Sequence, residues 1–175
     1  MTSTIPQVKI TGYGTILPAV ASVRPEVYEA IFQENRHRIY AMAFWMTDNE
    51  LQAEELMKNS FLRAFAGTPA PSPELVDRAL IAEVRELMPL GTLTVQEGIC
   101  TETPSVRRNI MRIHLERALV QLPATERMIF VMHDIENYDH ERISRLLGVT
   151  PEESVQGLHQ ARLRMRNRLA ELMKK

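Results

Sequence analysis

Five histidines and one cysteine are the residues of this 175-residue chain best suited to hold a metal or to attack a substrate. His133 and His140 stand seven positions apart across a break in helical pattern, while His37, His114 and His159 are scattered. No Cys-x-x-Cys pair or His-Glu-x-x-His run occurs, so no metal site is expected. A Gly-rich phosphate loop and a nucleophile elbow are both missing, and the carboxylates fall where helix surfaces carry solvating charge. Neither an enzyme nor a bound cofactor is expected. The remaining chemistry is binding. Arg162, Arg164, Arg166 and Arg168, followed by Lys174 and Lys175, crowd one side of a long helical stretch, where cations also suit the C-terminal end of the helix dipole.

The elements that carry these cations run from Asp139 to Leu172. Ile143, Leu146 and Leu147 give a short helix its apolar stripe, with Asp139 able to cap its start and Gly148 able to end it. A second, longer helix begins at Thr150-Pro151, with Glu153 three residues after the cap to close a capping box. Leu158, Ala161, Met165, Leu169 and Leu172 repeat at helical spacing behind the basic side. Helix, three-residue turn and long helix together have the form of a helix-turn-helix, although an ordinary helical hairpin with a solvated basic face fits the same pattern.

Upstream lies RALVQLPATERMIFVMHDIENYDHERISRLLGV. With its Leu-Pro before Ala124, the Ile143-Ser144 pair, Leu147-Gly148, Leu158-His159 and Ala161-Arg162, this region resembles the promoter-binding domain of sigma-70 factors, particularly the extracytoplasmic-function (ECF) group. QAEELMKNSFLRAF, Gln52 to Phe65, resembles the domain-two helix with which the same family grips the RNA polymerase clamp. The two resemblances together cover about two-thirds of the chain. They imply that Glu54, Glu55, Lys58, Asn59 and Arg63 face core RNA polymerase and that the C-terminal hairpin meets promoter DNA. They also leave room for an anti-sigma partner.

The chain departs from the family pattern in two places. The segment ELVDRALIAEVRELM, where the family carries groups for melted DNA, has no aromatic residue and only Arg78 and Arg85 as cations. In the recognition helix, Glu153-Ser154-Val155-Gln156-Gly157 stands where Thr-Val-Lys-Ser-Arg is usual, and a further Arg is replaced by Gln160. The resemblance therefore leaves Glu152, Glu153, Gln156 and Gln160 for base edges and Arg162, Arg164, Arg166 and Arg168 for phosphates. Weak DNA binding by the isolated C-terminal domain is expected, strengthened by Lys at Val155 and Arg at Gly157. Gly157 itself reads as a place for close approach of a partner.

Composition fits this picture. Residues 1–109 carry 10 basic and 13 acidic side chains and residues 110–175 carry 11 and 9, a mildly basic C-terminal half. A lone Cys100 excludes an intramolecular disulfide, and no apolar run approaches membrane-span length, so a cytoplasmic protein without membrane contact is expected. The expected architecture is all-α: a tail (1–24), a helical domain (25–88), a flexible linker (89–104) and a helix-turn-helix domain (105–175). Two other readings stay open. One is a sigma-like regulatory or protein-interaction module without autonomous promoter recognition. The other is a generic helix-turn-helix repressor.

Overall fold

The computed structural model describes residues 25–66, 68, 70–94 and 110–172. The expected tail, Cys100 and the 104/105 boundary lie outside them. Among the described residues seven α-helices follow one another: α1 Pro25–Thr47, α2 Glu50–Phe65, α3 Pro73–Leu87, α4 Arg112–Leu119, α5 Ala124–Phe130, α6 His140–Leu147 and α7 Pro151–Leu172. No strand occurs among the described residues. The protein is all-α.

Local chemistry sets the breaks. Asp48 takes a positive φ of 52° between α1 and α2, and Asn49 caps α2 by accepting from the Gln52 amide at 3.0 Å. Ser72 caps α3, whose first residue is Pro73. α1, α2 and α3 then pack as a three-helix layer. Ile39, Met42, Met46, Leu80 and Ile81 are almost wholly withdrawn from solvent. Each such side chain contributes about 1.5–3 kcal/mol through burial.

α5 does not continue as a uniform α-helix to Ile135. It widens into a π-helical turn, Val131–Ile135, closed by the Glu136 amide donating to the Val131 carbonyl at 3.0 Å. Val131 and Met132 are both buried there. Asn137 then enters the left-handed region at φ 57°, which its short polar side chain tolerates, and Tyr138 turns inward.

Ahead of the C-terminal helices, Ile110 and Met111 are not helical and α4 begins at Arg112. The opening of the expected linker is packed against the protein: Leu90 and Leu93 lie against the core. The Gly91 amide donates to Thr125 Oγ1 (3.1 Å) and the Thr94 amide to Glu126 Oε1 (3.0 Å). Buried backbone donors need partners, and the linker supplies its own by docking on α5. Consequently the two halves share one continuous apolar core.

Candidate nucleic-acid interface

The helix-turn-helix is assembled by its own caps. Asp139 accepts from the Arg142 amide at 2.7 Å to start α6, and Gly148, at φ 67°, ends it in the left-handed conformation. The Thr150 amide donates to Glu153 Oε2 (2.8 Å) while the Glu153 amide donates to Thr150 Oγ1 (3.1 Å), the reciprocal capping box read from the sequence. Glu153 therefore has a structural duty as well as an exposed position. His140 on α6 bonds Ser154 on α7 through Nδ1 at 2.9 Å, fixing the angle between the two helices with the help of Ile143, Leu147, Leu158 and Ala161.

α7 presents an outward face made by Glu152, Val155, Gln156, His159, Arg162 and Arg166, all exposed. His159 and Val155 were not singled out as contact residues from sequence; their i, i+4 spacing on the face opposite Ser154, Leu158 and Ala161 is the signal that could have found them. Gln160 is half-buried, with its Oε1 buried and unpartnered.

The four arginines do not act alike. Arg162 forks onto Asp134, with Nε to Oδ2 at 3.0 Å and Nη2 to Oδ1 at 2.6 Å. Burial pushes the Asp134 carboxyl up, but the Arg162 and His133 bonds outweigh it and hold the group below its usual range. Arg168 pairs with Glu171 at 2.9 Å, and Arg166 forms no ion pair among the described residues. Arg164 is the exception. Its side chain is only 16% exposed and binds the fully buried Glu126 at 2.8 Å, with a further bond to the Thr94 carbonyl at 3.4 Å. Assigning Arg164 to phosphate is corrected on this ground: it neutralises a core carboxylate.

Gly157 also faces inward. A Cβ there would meet Ile129 Cδ1 at 2.6 Å and Leu93 Cδ2 at 2.8 Å, so the partner whose close approach it permits is the protein's own α5 and linker. An Arg at this position would start from a Cβ set against Ile129 and Leu93 and not from the open face. The histidines separated in sequence are brought together: the rings of His133 and His140 stack at 4.7 Å. No cluster of three metal-ligating side chains occurs among the described residues. Burial, and the nearby His133 and Arg162, lower the His140 pKa.

On the other half, Glu54, Glu55 and Lys58 are exposed, Asn59 is half-buried, and Arg63 bridges α2 to α3 through Glu83 (2.8 Å) and Glu86 (2.9 Å). Glu54 and Lys58 rim a groove of about 960 Å³ between α1 and α2, floored by Tyr28, Phe32, Met57, Phe61 and Phe65. Leu51 and Leu62 of α2 are 78% and 61% exposed.

A capped helix-turn-helix with an exposed second helix has the geometry that DNA-binding domains of this motif present to the major groove. Residues 105–165 match the family model described as sigma-70, region 4. Those residues span α4 to α6 and the first two-thirds of α7, so the matched domain is the one that carries the exposed face. The match covers about a third of the chain, and over that stretch the chain is similar to region 4 of the sigma-70 family.

Proposed function

We propose that this chain is an ECF-group sigma factor that binds core RNA polymerase through α2 and directs it to promoter DNA through α6 and α7. The observation that carries the reading is the region 4 match, laid over a helix whose leading face from Glu152 to His159 is open. In this reading Gln156 pairs with an adenine edge, as does Gln160 once its buried Oε1 turns outward, while Glu152 and Glu153 pair with cytosine N4 and Val155 meets a thymine methyl group. Arg162, Arg166 and Arg168 hold phosphates and set the register.

For the polymerase, the support comes from α2. Exposed Leu51 and Leu62 stand among Glu54, Glu55, Lys58 and Asn59, beside an aromatic groove; apolar side chains rimmed by charge suit a protein partner. Arg63 holds α2 against α3 and so keeps that face in place. The site of action is the cytoplasm, where polymerase works; among the described residues no helix is long and apolar enough to cross a membrane. An anti-sigma factor would be seen as a second protein that displaces the polymerase.

The test is co-purification of the full chain with core polymerase, followed by transcription from candidate promoters. Glu55→Arg combined with Lys58→Glu is expected to weaken core binding on the order of tenfold, about 1.4 kcal/mol. Surface changes of this kind leave stability within about 0.5 kcal/mol. Unchanged affinity in the folded double variant would refute the docking face.

A sigma-like regulator without autonomous promoter recognition is favoured by one feature. Both cations of α3 are engaged, Arg78 with Glu74 at 2.8 Å and Arg85 with the Leu147 carbonyl at 2.7 Å. Core binding without any promoter-dependent transcript would decide for that alternative.

A further inference from the structure

Where α1, α3 and α6 meet, the seam between the two halves contains a carboxylate with no exposure at all, Asp77 of α3. Its Oδ1 receives Arg38 Nη1 of α1 at 2.5 Å. Its Oδ2 receives Arg142 Nη2 of α6 at 2.5 Å and the Tyr138 hydroxyl at 3.0 Å. Arg38 also donates to the Tyr138 hydroxyl, and the Arg142 guanidinium lies 3.8 Å from the centre of the Tyr138 ring. Nearby, Arg85 of α3 donates to the carbonyl of Leu147, at the end of α6. One anion from the N-terminal half is thus wrapped by groups from both halves.

We infer that Asp77 is a latch that closes the halves on each other and occupies arginines which nucleic acid would otherwise engage. The first helix of a helix-turn-helix is the one that crosses the DNA backbone. Arg142 sits on that helix, in the present state turned onto a carboxylate that takes the place of a phosphate oxygen pair. Arg38 and Arg142 keep side-chain exposures of 20% and 35%, so solvent and competing anions reach the rim of the cluster. The apolar core runs through the seam, and this ionic cluster is the part of it whose interactions water and phosphate can replace. Burial also pushes the Asp77 carboxyl above its usual range despite Arg38 and Arg142, so the closed state holds its charge at a cost. The partner is a polyanionic backbone, duplex or single-stranded. The inference rests on the DNA-binding role of the matched domain and not on any particular promoter.

The experiment uses the full chain with Cys100→Ser, Glu34→Cys and Glu141→Cys, labelled for energy transfer between α1 and α6. Binding to a short mixed-sequence duplex is titrated with salt in parallel. The parent is expected to show one high-transfer state. Asp77→Asn should lower transfer, tighten duplex binding on the order of tenfold at low salt and steepen the salt dependence by about 2, one phosphate for each released arginine. Arg142→Ala should lower transfer equally but gain about one unit less of salt slope. Asp134→Asn frees Arg162 without touching the seam, so it should leave transfer unchanged.

If circular dichroism shows Asp77→Asn unfolded, Arg142→Ala decides the closure and Tyr138→Phe, which removes one donor, decides the DNA effect, with smaller shifts in the same direction. Unchanged transfer in Asp77→Asn or Arg142→Ala would overturn the latch. Lowered transfer with unchanged duplex binding would overturn the masking of the arginines. A failed polymerase co-purification would leave both readouts intact, so it would count against the sigma reading alone.

Discussion

The front and rear of α7 differ in a way that their composition conceals. The rear holds four arginines and looks like the electrostatic grip; the front, from Glu152 to Gln160, holds two carboxylates and no Lys or Arg. Among the described residues, three of the four rear arginines are paired with Asp134, Glu126 and Glu171. Much of the rear charge therefore serves the protein itself. Cations counted along a helix are not cations available to a ligand; burial and pairing decide which are free.

The largest test of this difference is Arg164→Ala. It leaves the fully buried Glu126 carboxyl without its partner, and a broken buried pair costs about 3–5 kcal/mol. Chemical unfolding should show that loss. A stable variant that merely binds DNA less well would move Arg164 back to the interface. Gly157→Arg comes next. Its side chain has to enter between Ile129 and Leu93, and overpacking of this sort costs about 1–3 kcal/mol or more. A folded variant with tighter DNA binding would break the assignment of Gly157 to the core.

Smaller effects sharpen the contrast. Val155 is 52% exposed on the front, so Val155→Lys should steepen the salt dependence of duplex binding by about 0.9, the value of one added phosphate contact. Arg166→Ala should reduce that slope by a similar amount, about 0.9, whereas other pairings would make the reduction smaller. Both are read from the same salt titration.

The smallest effect is a pH dependence. His140 has a lowered pKa in the fold, so the unfolded chain takes up the proton first as pH falls. Its contribution to stability is present above the ordinary value of 6.5 and is lost as pH falls through the lower folded value. Thermal midpoints measured across that window should decline toward acid, and His140→Gln should flatten the decline. An equal decline in the variant would assign it to another group.

Local interactions made much of this legible from sequence. The Thr150–Glu153 capping box, the Asp139 cap and the Gly148 stop each depend on residues within four positions of one another. Such short-range chemistry needs no distant partner to be recognised. The apolar spacing of α7 likewise identified its buried side, because helix period alone places Leu158, Ala161, Met165 and Leu169 together.

Everything that depended on distant partners was decided by the tertiary structure. Sequence could not show that Arg164 meets Glu126, that Gly157 is filled against by Leu93 from the supposed linker, or that His133 stacks on His140. Nor could it show that Asp77, in a segment read only for its lack of aromatics, collects Arg38 and Arg142 from 39 and 65 residues away. The pattern of one helix specifies which side is buried. What it is buried against depends on how the helices pack, and that packing determines which charges remain for a partner.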